Sequence, residues 1–120
     1  MQKLIGSETI EDIARFLFLQ LARAIQHLHS TARIVHRDIK LDNILFNSES
    51  NQVKLTDFTV ARGDIKEKTK LFDSQGTAAF TAPECHIVQK EGYEPKPTDL
   101  WSFGVCLYCF VTNGKVPFYA

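Results

Sequence analysis

Four side chains define the chemistry open to this sequence. Asp38, Lys40 and Asn43 lie in the run Ile34-Val35-His36-Arg37-Asp38-Ile39-Lys40-Leu41-Asp42-Asn43-Ile44-Leu45-Phe46, and Asp57-Phe58 begins 14 residues after Asn43. Asp38, Asn43 and Asp57 present oxygen atoms, which hard divalent cations such as Mg²⁺ take as ligands and share with substrate phosphates. Lys40, two residues beyond Asp38, can bring positive charge to a transferring phosphoryl group as it gathers negative charge. Asp38 is then left to accept a proton from an attacking hydroxyl. Against this stands a plainer use of the same residue types, since Asp and Asn favour turns and caps by bonding to nearby backbone.

These groups meet only if the chain turns back on itself between them. Ile44-Leu45-Phe46 and Val53-Lys54-Leu55 flank the polar stretch Asn47 to Gln52, whose Asn and Ser residues favour turns, and the pattern predicts a short β-hairpin. Asn43 stands just before its first strand and Asp57 just after its second, so a tight turn puts both at one end. Upstream, Ile10, Ile13, Ala14, Leu17, Leu21, Ala24, Ile25 and Leu28 recur at three- and four-residue steps, which predicts a helix from Thr9 to Ser30. Thr9 is placed to cap it, Glu11 and Asp12 suit the positive end of its dipole, and Arg33 follows its far end. Ala61 to Gln75 mixes Lys and Arg with Asp and Glu, has few apolar residues and no period, and reads as a surface loop. Pro83, Pro95 and Pro97 mark a second irregular region. Thr98-Asp99 then reads as the cap of a buried helix over Leu100 to Val111, closed by Asn113-Gly114. No internal repeat or low-complexity tract interrupts this α+β outline of helix, hairpin, long loop and helix.

Composition narrows the partners. The 120 residues are 44% hydrophobic and 23% charged, which fits one domain or part of one. Fourteen basic residues balance 14 acidic ones, so a basic surface for nucleic acid or an anionic membrane is not expected. Leu100 to Val111 is too short to cross a bilayer, which takes about 20 residues. Three cysteines with no secretory signal make no disulfide framework, and a reducing, cytoplasmic (intracellular) setting is expected. Cys106 and Cys109 form a C-x-x-C inside an apolar run without a second Cys or His pair, the pattern of two buried small residues and not of a zinc site. Cys85 is given no role.

The motifs taken together resemble a eukaryotic protein kinase of the serine/threonine type. The resemblance rests on the HRDIKLDN run, on Asp57-Phe58, on Gly76-Thr77-Ala78-Ala79-Phe80 before Ala82-Pro83-Glu84, and on Asp99-Leu100-Trp101-Ser102-Phe103-Gly104, in that order along nearly the whole chain. It implies an incomplete protein-kinase-like α+β fold, mostly the helical C-terminal lobe with a small hairpin, and a chemistry that uses ATP and Mg²⁺ on a protein substrate. Under it Asp38 orients the substrate hydroxyl and accepts its proton, Lys40 contacts the γ-phosphate, Asn43 is a magnesium ligand and Asp57 the chief one. Lys40 with Thr77 implies serine/threonine specificity. Glu84 would pair with an arginine much later in the domain, Asp99 would brace the backbone around His36 and Arg37, and His36 would pack beneath the loop without acting as a base. His27 and His29 are expected to be surface or boundary residues.

Three departures matter. Thr59 stands where the family has glycine after Asp-Phe, and a β-branched residue resists dihedrals that glycine allows. Arg37 occupies the place from which the family holds a phosphorylated residue of the activation segment, and Asp73, four residues before Thr77, could supply a carboxylate in its stead. No G-x-G-x-x-G spacing occurs among the six glycines. The resemblance puts that loop, the strand lysine and the adenine hinge before Met1 and the remaining helices after Ala120. Residues 1–120 are therefore expected to be part of a kinase domain cut at both ends, inactive alone and prone to aggregate. A non-catalytic, kinase-like binding module is the alternative function. Leu107 to Val111, Pro117-Phe118 and the wording from Gly76 to Glu84 are similar to calcium/calmodulin-dependent kinase kinases, which makes another kinase the candidate substrate and calmodulin a candidate partner.

Overall fold

The computed structural model describes residues 9–87 and 90–118. Helix α1, Ile10–His27, begins where its cap predicts: the Thr9 hydroxyl oxygen accepts from the Asp12 amide at 3.1 Å. Its three- and four-residue stripe buries Ile13, Ala14, Leu17, Phe18, Leu21 and Ile25. Fully burying a side chain such as Leu21 or Ile25 is worth about 1.5–3 kcal/mol. Past His27 the helix widens into one π-helical turn, Leu28–Ala32, and stops at Arg33 in a left-handed conformation with φ of 56°.

Strands β1, Ile44–Asn47, and β2, Gln52–Leu55, form the predicted antiparallel hairpin, with Ile44 opposite Leu55 and Asn47 opposite Gln52. Ile44, Phe46, Val53 and Leu55 turn toward α1, whereas Leu45 and Lys54 face outward. Gln20 of α1 fixes the hairpin from the side: its amide oxygen accepts from Val53 N at 3.1 Å and its Nε2 donates to the Asn51 carbonyl at 3.0 Å.

Helix α2, Pro95–Val111, starts earlier than the sequence reading placed it. Proline fits the first turn of a helix, where its missing N–H has no intrahelical partner to lose, so Pro95 and Pro97 open the helix instead of interrupting a loop. Glu94 takes the cap position and makes no side-chain cap bond, and Thr98 and Asp99 lie inside the helix. The far end matches expectation, with Asn113 and Gly114 at φ of 60° and 95° and the Gly114 amide bonded to the Cys109 carbonyl at 2.8 Å. Burial along α2 is one-sided: Thr98, Asp99, Ser102, Val105, Cys106 and Cys109 face inward, while Leu100, Tyr108 and Val111 are exposed. No helix among the described residues is long and apolar enough to cross a membrane.

The charged stretch from Ala61 to Gln75 is more tightly held than a solvated loop. Val35 and Arg62 pair as an antiparallel bridge, as do Leu71 and Tyr93, and the Ile65 amide donates to the Arg33 carbonyl at 2.9 Å. Val35, Ile65, Leu71, Ala82, Cys85 and Tyr93 form a second core beneath it, separate from the one between α1, β1, β2 and α2. All three cysteines are free and buried, as the sequence indicated for Cys106 and Cys109. Burial raises the Cys106 thiol to about 12, which leaves it an inert apolar group.

Candidate active site

The loop from His36 to Asn43 is held from below by one carboxylate. Asp99, fully buried in α2, accepts the His36 amide on Oδ2 at 2.8 Å and the Arg37 amide on Oδ1 at 2.9 Å, and His29 Nε2 donates to Oδ2 at 2.8 Å. Two of these donors are backbone groups of the loop itself, so its position follows that of α2. His29 is 8% exposed and belongs to this network, which corrects its reading as a boundary residue. A signal for it was present, since it stands four residues past Ile25 on the same buried stripe; His27 is exposed, as expected.

His36 is buried and structural. Its Nδ1 accepts from the Asp38 amide at 3.1 Å and its Nε2 donates to the Thr56 carbonyl at 2.9 Å, which fixes the tautomer that carries hydrogen on Nε2. The imidazole thus ties the Asp38 loop to the end of β2, and the Phe58 ring meets it edge-on at 4.8 Å.

Above this platform Asp38, Lys40 and Thr77 share one hydroxyl. Thr77 Oγ1 donates to Asp38 Oδ1 at 3.0 Å and accepts from Lys40 Nζ at 2.9 Å. Two residues of the loop therefore meet the segment after Gly76, which crosses the loop closely. A Cβ built on Gly76 would lie 2.4 Å from the Arg37 carbonyl, and its φ of 99° is one that L side chains rarely adopt.

Asn43 and Asp57 come together at one end of the hairpin, as their spacing predicted: the Thr56 amide donates to the Asn43 carbonyl at 2.9 Å. Asn43 Nδ2 donates to the Asp38 main-chain carbonyl at 2.8 Å and lies 3.4 Å from Asp38 Oδ2. Both neighbours accept, so the amide must present its NH₂ to them and its own oxygen elsewhere. Asp57 is exposed, in a left-handed backbone conformation at φ of 62°. The Thr59 hydroxyl and amide both donate to its Oδ1, and these bonds, the hydroxyl's first, hold its carboxyl below the ordinary value. Among the described residues no group of three His, Cys, Asp or Glu side chains gathers into a metal site. The set present, a buried amide whose oxygen is turned away from Asp38 and an exposed carboxylate, fits a hard cation that takes its remaining ligands from a phosphate substrate and water.

Arg37 and Asp73 form the pair that the sequence raised. The Arg37 side chain is only 6% exposed, its Nε donates to the Val60 carbonyl at 2.8 Å and its Nη1 to Asp73 Oδ1 at 2.9 Å. Burial works against the guanidinium charge, but the bonds to Asp73 and Tyr93 outweigh it and raise the Arg37 pKa. The same bond lowers the pKa of Asp73, whose main-chain carbonyl also accepts the Tyr93 hydroxyl at 2.6 Å. Glu84 lies half-buried in the 3₁₀ turn Pro83–Cys85 and, after burial itself, is the next cause of the raised Cys85 pKa.

The family model described as protein kinase domain matches residues 2–120. The chain belongs to the protein kinase family. Among curated proteins this kinase chain is 42% identical over 108 residues to testis-specific serine/threonine-protein kinase 5 of Mus musculus, covering 90% of the chain and 28% of that relative. It is 38% identical over 109 residues to serine/threonine-protein kinase CHK1 of Saccharomyces cerevisiae, with 88% and 20% covered. It is also 39% identical over 110 residues to ribosomal protein S6 kinase alpha-3 of Homo sapiens, with 92% and 14% covered. The chain therefore spans less than a third of the length of these relatives.

Proposed function

We propose that the full-length protein containing this chain is a serine/threonine protein kinase that transfers the γ-phosphoryl group of Mg-ATP to a protein hydroxyl. The observation that carries this reading is the Thr77 hydroxyl, an aliphatic alcohol that donates to Asp38 while accepting from Lys40. A substrate serine or threonine in that position would have its proton directed to Asp38 Oδ1. As its oxygen bonds to the γ-phosphorus and the bond to the β-phosphate oxygen breaks, Lys40 would face the charge gathering on the transferred group. Asn43 and Asp57 are the residues that would hold magnesium, which supplies charge neutralisation at the phosphates. Asn43 also fixes Asp38 through its main-chain carbonyl at 2.8 Å and reaches its carboxylate only at Oδ2, at 3.4 Å, which leaves Oδ1 for the proton.

The test is Asp38→Asn in the full-length protein. Phosphotransfer to a serine peptide is expected to fall roughly 10²- to 10⁴-fold, with nucleotide binding and thermal midpoint kept, because the Asn43 anchor acts on the Asp38 main chain. Activity within threefold of wild type would overturn the assignment.

One observation favours a second reading, a non-catalytic binding module: Thr59 holds an oxygen of the cation ligand Asp57. ATP binding that is indifferent to Mg²⁺, together with no phosphotransfer, would put that reading first. The protein substrate includes other kinases if the calcium/calmodulin-dependent kinase kinase likeness holds. Calcium-dependent binding of purified calmodulin to the full-length protein tests that part. Three free, buried cysteines support a reducing intracellular setting.

Asp73 completes the reading as a built-in partner for Arg37, a carboxylate that orders the 61–75 segment where relatives would use phosphate. Its pairing at 2.9 Å supports this role.

A further inference from the structure

The two bonds that Thr59 makes fall on a single atom. A carboxylate oxygen has two lone pairs, and the Thr59 amide, at 3.2 Å, and the Thr59 hydroxyl take both of those on Asp57 Oδ1. Neither bond reaches Oδ2. Asp57 is exposed, and among the described residues the hydrogen bonds to its carboxylate come from residue 59, both on Oδ1. Val60 and Phe58 on either side offer no polar side chain that could take over this task.

We propose that Thr59 restricts Asp57 to one oxygen, Oδ2, as a ligand for divalent cation, and thereby weakens cation binding and limits how many cations the site takes up with nucleotide. A cation that would take Oδ1 as a ligand must first displace the hydroxyl. Thr59 is thus a positioning residue acting through Asp57, and glycine at 59 would keep the amide bond but free one lone pair of Oδ1. The inference rests on the phosphotransfer reading, because that reading is what makes Asp57 a cation ligand.

The experiment uses Mn²⁺ as the probe, titrated by electron paramagnetic resonance into the full-length protein with a non-hydrolysable ATP analogue. Thr59→Val keeps the β-branched shape and the backbone amide but removes the hydroxyl, and Thr59→Ser keeps the hydroxyl. The valine variant is expected to bind Mn²⁺ roughly tenfold more tightly, similar in size but opposite in sign to the usual effect of removing a partner that supports a metal ligand, or to take up a second ion. The serine variant is expected to match wild type. Equal Mn²⁺ binding by wild type and Thr59→Val overturns the proposal, and so does a serine variant that behaves like valine. If all three bind equally and still transfer phosphate, this inference alone fails. If none binds Mn²⁺ with nucleotide and none transfers phosphate, the phosphotransfer reading fails with it.

Discussion

Asp38 and Asp57 are both aspartates of one site, yet the fold holds them in opposite ways. Asp38 sits in a loop whose backbone is bonded to a buried carboxylate of α2, to a buried imidazole and to a buried amide. Among the described residues the Asp57 carboxylate is bonded by a residue two places further along, and its neighbour Phe58 is 44% exposed. The group proposed to take the proton is set by tertiary structure, before any ligand arrives. The group proposed to meet a cation is held locally. Changes to the groups that hold the Asp38 backbone should therefore act on stability and rate together, and changes near Asp57 on cation binding.

The largest test of this contrast is Asp99→Ala. Removing the carboxylate strips the acceptor from three buried or half-buried donors at once: His29, His36 N and Arg37 N. The full-length protein is expected to lose about 3–5 kcal/mol in urea unfolding, the scale for breaking a buried charged network, and to lose phosphotransfer with it. A loss under 1 kcal/mol would mean that the loop is not held from α2. Next comes Gly76→Ala, which forces either the Arg37 carbonyl or the 76–77 segment to move. About 1–3 kcal/mol of overpacking and backbone strain is expected. Peptide KM should rise as the Thr77 hydroxyl leaves Asp38, while Mn²⁺ affinity stays unchanged. A change in Mn²⁺ affinity comparable to that expected for Thr59→Val would erase the distinction between the two halves of the site.

The parts of this architecture that were readable from sequence are the local ones. The stripe in α1 and the alternation in β1 and β2 repeat within a few residues, and the hairpin alone brings Asn43 and Asp57 to one end. The start of α2 was missed because Pro95 and Pro97 serve equally as loop punctuation and as first-turn residues, and only packing decides between them. Asp99 was expected both to cap the helix and, through the family likeness, to brace the loop; the structure keeps the second role only. The second core stayed hidden because Ile65 and Leu71 lie in a charged stretch without a period, and their partners Val35 and Tyr93 lie 20 or more residues away in the chain. The Arg37–Asp73 pair was reached through the resemblance, since nothing in the local pattern joins two residues 36 positions apart.

That pair supplies the smallest effect and the finest test, because it links the rigid side of the site to the segment before Thr77. Asp73 is 46% exposed, so solvent screens the interaction and Asp73→Asn should cost less than about 1 kcal/mol at neutral pH. The pH dependence fixes its origin. Asp73 has a lowered pKa, so its contribution is present above the ordinary carboxylate value of about 3.9 and is lost as pH falls through the lower folded value. Arg37 has a raised pKa and stays charged throughout, so it adds no dependence of its own in this range. The difference in urea midpoint between wild type and Asp73→Asn should be constant from about pH 5 to 8 and close below about pH 4. A gap that survives at low pH would assign the effect to packing against Tyr93, not to charge. The absence of any gap at pH 7 would mean that the Val60 carbonyl and Tyr93 hold Arg37 without Asp73, and the segment would then depend on modification for its order.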